Sequence, residues 1–234
     1  MDVVKYTRPL TEGDLIAVEF DRNYCRERRP LLAGSGSART IAAFTVMAGI
    51  LLGTPTSAAK SGGNTGTGTF VLDGTTPLLA GAMSGIYTLR CTVAGTNSAT
   101  FRLRDPKNRV LGDYAFSGSG ATVTTDSQVK GVITDAVTDF IVGDGFDITV
   151  PVGSGKSVAL DLTKNDGSQI ARGVALAAAS APDGTDDVVD EVARGPIVLR
   201  SDVPLVWPGG ATDAQKANGL AELLALGIVA RTSG

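Results

Sequence analysis

Between residues 61 and 152 the chain turns rich in Gly, Thr and Ser and alternates apolar with polar residues, while a different pattern stands on both sides. Small-residue spacers mark the two seams: Ser61-Gly62-Gly63-Asn64-Thr65-Gly66-Thr67-Gly68-Thr69 at one, Gly153-Ser154-Gly155-Lys156-Ser157 at the other. Insertions succeed where exposed backbone carries few contacts. The expected organisation is therefore a discontinuous outer domain, residues 1–60 and 153–234, interrupted by an inserted all-β domain at 61–152. With 234 residues, 43% of them hydrophobic, the chain can bury two small cores. Thirty Gly, ten Pro and abundant Thr and Val predict a mainly β protein.

Several function classes are excluded by composition. A net charge of −3 is a poor match for phosphate backbones, so no nucleic-acid partner is expected. The longest apolar run, Ile41 to Leu52, is interrupted by Thr45 and Gly49 and is too short to span a bilayer. It reads as a buried strand pair or a strand and turn, and no membrane partner is expected. Asp2 and Lys5 flank a mixed segment, so no secretory leader is expected. The chain has no histidine, which removes the commonest general base and metal ligand. Cys25 and Cys91 lie far apart without a CxxC spacing, which predicts reduced thiols and no zinc site. No catalytic residue, metal or cofactor is expected.

Four constellations invite a sharper reading. Gly153-Ser154-Gly155-Lys156-Ser157 looks like the end of a phosphate-binding loop, but Val150 stands where the loop requires Gly and a strand-like alternation follows. Asp183, Asp186, Asp187, Asp190 and Glu191 cluster, yet their spacing matches no EF-hand, and an acidic loop is the plain reading. Arg22, Arg26, Arg28 and Arg29 are diluted by Asp21 and Glu27, which favours a salt-bridged protein interface over phosphate binding. Asp144 and Asp147 would be the pair for an enzymatic reading, but Asp beside Gly is ordinarily a turn former.

Inside the inserted block, Tyr87, Leu89, Cys91 and Val93 oppose Thr88, Arg90 and Thr92, and Ala99, Phe101 and Leu103 oppose Thr100, Arg102 and Arg104. Turns at 94–98 and 105–108 join these runs into a meander, predicting a small sandwich or barrel. In the outer parts, Leu15 to Phe20 reads as a strand with Ile16, Val18 and Phe20 on one face. Thr212 with Gln215 has capping-box spacing, placing Ala217, Leu220, Ala221 and Leu224 on one face of a short C-terminal helix. Gly227 ends it, and Ile228 to Arg231 returns to strand.

Read in order, "FDRNYCRERRPLLAGSG", "AGILLG", "DGSQIARGV", an acidic stretch, "VARGPIV" and "LVWPGGATDAQKANGLAELLALGIVAR" resemble the lambda-type phage head decoration protein family. The likeness spans most of residues 15–59 and 156–234, and is most specific from Trp207-Pro208 to Arg231. Gly63 to Thr69 and Asp139 to Val150 resemble a module that accompanies phage structural proteins. The resemblance implies a β-rich α+β decoration core and a homotrimeric cement protein of the virion. Such a protein binds the major capsid (coat) protein at three-fold positions on the outside of the expanded head and holds it against internal DNA pressure. It also implies an N-terminal arm that joins a coat-protein sheet. Val3, Val4, Lys5, Tyr6, Thr7 and Arg8 alternate as a strand and precede Pro9, which has no N–H to continue a ladder. The arm is expected to be mobile in the free trimer and ordered on the capsid. Leu205, Val206 and Trp207 are the candidate trimer interface. The alternative is a phage adhesin or fibre module whose inserted domain binds host glycan or protein.

Overall fold

A computed structural model describes residues 11–230 of the chain. Its backbone divides into two units: an outer one up to Ile50 and from Gly155 onward, and an inserted one, Leu51–Ser154. In chain order the outer unit opens with helix α1 (Glu12–Leu15), strand β1 (Ile16–Glu19), helix α2 (Arg22–Cys25) and strands β2 (Arg26–Leu31), β3 (Arg39–Ile41) and β4 (Val46–Gly49). The inserted unit holds β5 (Thr56–Ala59), β6 (Thr69–Leu72), β7 (Gly85–Gly95), β8 (Ser98–Arg104), β9 (Val110–Ser117), β10 (Thr122–Ser127), β11 (Val129–Thr134) and β12 (Gly145–Val150). The outer unit resumes with β13 (Ser157–Ala159), β14 (Gly173–Ala175), β15 (Ala179–Ala181), β16 (Asp187–Val192), β17 (Ile197–Leu199), helix α3 (Asp213–Ala225) and β18 (Ile228–Ala230). The fold is mainly β with a short C-terminal helix.

The first seam lies about ten residues earlier than the spacer suggests. Thr56–Ala59 pairs with Phe146–Thr149 as an edge strand of the inserted unit, which carries residues 51–60 with it. In the outer unit the Gly155 N–H donates to the Ile50 carbonyl at 2.8 Å, and in the inserted unit Gly153 donates to Leu51 at 2.8 Å. Each unit thus has its two chain ends side by side.

A closed barrel, in the order β13-β2-β16-β14-β4, forms the middle of the outer unit. β4 is buried at every position. Its alternation sends Val46 and Ala48 into one apolar cluster with Phe44, Val174 and Val192, and Met47 into another with Leu31, Ile41 and Val189. Burial on both faces explains why the sequence is continuously apolar there. Phe44 makes the turn between β3 and β4 with φ 66°, its ring buried. A separate sheet, β1-β17-β18, lies beside α3.

The expected strand at Leu15 to Phe20 is shorter and differently faced. Leu15 ends α1, whose N-terminus Thr11 and Asp14 cap reciprocally, and is fully buried. A bulge between Ile16 and Val18 breaks the alternation, so Ile16 sits opposite buried Leu199 while Val18 sits opposite Val198.

In the inserted unit, the sheet β5-β12-β7-β8-β9 and the sheet β10-β11-β6 share one core. Tyr87, Leu89 and Cys91 point inward, as do Ala99, Phe101 and Leu103, but a bulge after Cys91 turns Val93 away from the face that alternation assigns it, leaving it exposed. Phe70, Phe101, Phe116, Phe140 and Phe146 cluster there, the rings of Phe101 and Phe140 meeting edge to face at 4.9 Å.

Candidate interaction surface

The β1-β17-β18 sheet has two unlike faces. Ile197, Leu199 and Ile228 are buried against the outer core. On the other side Val18, Val198 and Val229 stand in one row across the three strands, with Val18 62% exposed. Phe20, beyond the end of β1, is 77% exposed although its N–H is tied to the Pro196 carbonyl at 3.3 Å. Isolated exposed valines are ordinary, but a row of them beside a phenyl ring that none of the described residues covers is the kind of apolar surface that marks association sites.

Helix α3 exposes apolar residues of its own. The Thr212 hydroxyl accepts from the Gln215 N–H at 3.3 Å and the Gln215 side chain accepts from the Thr212 N–H at 2.9 Å, completing the capping box. The helix does not bury the stripe that its apolar spacing suggests. Gly219 and Leu223 face the core, whereas Ala217, Ala221 and Leu224 are exposed. The reason is Trp207: a Cβ on Gly219 would stand 2.6 Å from its ring, so the indole fills the space that fixes the helix rotation. Glu222 secures the same rotation by accepting the buried Ala171 N–H at 2.6 Å.

Leu205, Val206 and Trp207 are separated by this packing. Val206 bridges to β4, its N–H donating to Phe44 and its carbonyl accepting from Val46, and its side chain is 42% exposed. Leu205 and Trp207 are half-buried and, with Val203, Leu220 and Ala230, line an open groove of about 600 Å³. Residues Val3, Val4, Lys5, Tyr6, Thr7 and Arg8 lie outside the described residues.

The basic and acidic clusters meet each other. The expected acidic loop is partly strand: β16 runs antiparallel to β2, bringing Asp190 opposite Arg28 and Glu191 opposite Glu27. The pairing could have been anticipated from Arg26–Leu31 and Asp187–Val192 as complementary charged strands. Arg29 bridges Glu27 at 2.9 Å and Glu191 at 3.3 Å, Arg194 reaches Glu27 at 2.7 Å, and Arg26 holds Glu12 and Glu19. The arginines expected at a protein interface therefore spend much of their charge within the chain. Asp183 and Asp186 accept the backbone N–H groups of Gly36 and Ala33. Among the described residues, no three His, Cys, Asp or Glu side chains gather as a metal site.

Glu191 is completely buried. Burial pushes its carboxyl above the ordinary range, outweighing the Ser157 hydroxyl, Arg29 and Arg172, which favour the charged form. Arg172 lies in the cradle left by Gly49 and donates to Ser157 at 2.8 Å, and its own pKa is lowered by burial. Ser157 and Lys156 of the phosphate-loop look-alike are thus occupied: Ser157 by Arg172, Lys156 by Asp186.

In the inserted unit the two candidate carboxylates are likewise committed. Asp144 accepts three backbone N–H groups, from Thr65, Gly66 and Ile141, and Asp147 pairs with Arg90. Every aromatic ring of this unit is buried, so none offers a stacking platform to a sugar.

Residues 5–228 match the family model described as bacteriophage lambda head decoration protein D. The chain belongs to that family. The match spans both outer segments and the β unit between them, so the chain is a phage head structural protein. No curated protein matches this decoration protein. Two crystal structures of Xanthomonas campestris FlgL are similar at 22% and 23% identity, covering 48% and 47% of this chain, with TM-scores of 0.31 and 0.29. The match takes in a third (33%) of the FlgL chains, and likeness at this level carries no argument.

Proposed function

We propose that this decoration protein acts as a homotrimer that binds the outer surface of the expanded head at three-fold positions, contacting the major capsid protein and bracing the shell against internal DNA pressure. The observation that carries the reading is the uncovered apolar surface of the outer unit, with its valine row, Phe20 and the exposed α3 stripe, in a chain of this family. A surface of that kind serves association and needs no chemistry. Each added contact of a bound trimer is effectively intramolecular, so several weak contacts hold firmly. A closed ring of three leaves no sticky surface for runaway assembly.

In this reading residues Val3 to Arg8 add a strand to a coat-protein sheet, and the Leu205–Trp207 segment lies at or near the subunit boundary. Folding in the host cytoplasm before capsid attachment is in keeping with free, buried Cys25 and Cys91. Light scattering is the test of the oligomer: a mass of three times 23.8 kDa supports it, and a monomer at every accessible concentration removes it. Imaging of decorated heads then tests the position, with density expected at three-fold sites.

A further inference from the structure

We propose that Phe20 of one copy seats in the groove between Trp207 and Leu220 of a second copy, joining subunits head to tail. The contact rests on the self-association proposed above and specifies its chemistry.

Phe20 is a fixed knob. Its own N–H is held by Pro196, and the next residue, Asp21, caps α2 by accepting from Asn23 at 2.7 Å and Tyr24 at 3.1 Å. Fixing the backbone on both sides of a bare phenyl ring removes most of the ordering cost of docking it. The groove, about 600 Å³ and walled by Val203, Leu205, Trp207, Leu220 and Ala230, is wider than the second hollow against Trp207, about 240 Å³ between Ile41, Val46, Leu160 and Pro208. An apolar cavity of about 150 Å³ already accepts benzene.

Within one copy the knob and the groove lie at opposite ends of β17. Glu19, beside Phe20, pairs with Ile197 at the start of β17, whereas the groove opens by Leu199 and Arg200 at its other end. Knob and groove on opposite ends of one sheet describe a heterologous contact, the kind that closes into a ring when the rotation permits. Charge agrees with this pairing. Exposed Asp21 follows Phe20, and the groove rim carries the Lys216 ammonium, whose nearby Asp213 carboxylate is 3.6 Å away and fully in solvent.

The test uses the full chain. Phe20→Cys combined with Leu220→Cys should, on oxidation, give covalent species up to a trimer on a non-reducing gel, while neither single variant forms the ladder. Native Cys25 and Cys91 are buried and keep the background low. Phe20→Ser, a change at an exposed position, should raise the concentration for half-association about tenfold or more. If the parent associates but the double variant gives no ladder and Phe20→Ser associates as the parent does, the contact is overturned and the trimer reading stands. A parent that is monomeric throughout removes both. Phe20→Ser with parental mass but weaker head binding assigns the knob to the coat protein. A chain ending at Ala230 that alone loses association assigns the groove to the C-terminal residues. Either outcome overturns the proposal.

Discussion

The carboxylate of Asp144 accepts the N–H of Gly66 at 2.9 Å, from 78 positions earlier in the chain. With Thr65 and Ile141 donating to the same side chain, and Gly145 donating to Asn64 at 2.8 Å, the glycine-rich spacer is clamped onto the turn before β12. The Gly63–Thr69 and Asp139–Val150 segments are therefore a closure device for the inserted unit. Burial alone would raise the Asp144 pKa, but the three N–H groups lower it. Its stabilisation is present above the ordinary carboxylate pKa and is lost as pH falls through the lowered one. Asp144→Ala should cost about 3 kcal/mol or more at neutral pH, with the loss shrinking in acid, as read from denaturant midpoints.

The seam bonds predict modularity. A chain in which Ile50 is joined to Gly155 by a short Gly/Ser link should fold, because no strand of the outer barrel comes from residues 51–154. Circular dichroism and light scattering check it. An unfolded product under conditions where the parent is soluble would place part of the outer core in the insertion.

Gly219→Val should destabilise the outer unit by about 1–3 kcal/mol. The new side chain would collide with the Trp207 ring, which Gly219 now approaches. Thermal unfolding gives the magnitude, and a shift in tryptophan emission reports whether the ring moved. Unchanged stability and emission would show that Trp207 does not set the position of α3.

Glu191 offers a test by pH. Its raised carboxyl pKa means that its contribution to stability is complete below the ordinary Glu value and is lost as pH rises through the raised folded-state value. Glu191→Gln cannot titrate. The melting temperature of the variant minus that of the parent should therefore increase from pH 4 to pH 7. A flat or falling difference would mean that Arg29 and Arg172 outweigh burial.

Much of this fold was legible because alternation and capping are local. The period-two runs at 87–91 and 99–104, the Thr212 cap and the continuous apolar stretch around Val46 each carry their structural meaning within a few residues. The first seam was less visible, since nothing local tells Thr56–Ala59 that its partner is Phe146–Thr149. The bulge after Ile16 reversed a face that strict alternation would assign. The charged stretches were legible as patches but not as a pair, because β2 and β16 meet only through the barrel. The groove beside Trp207 depends on a distant glycine, Gly219, admitting an indole. No periodicity records that.

Binding to the mature head is tested directly by sedimentation. Purified protein should co-sediment in saturable fashion with expanded heads that lack it and stay in the supernatant with unexpanded procapsids at the same salt and concentration. Removing residues 1–10 should weaken that binding without changing the solution mass. Equal recovery in both pellets, or none with expanded heads, would contradict the account.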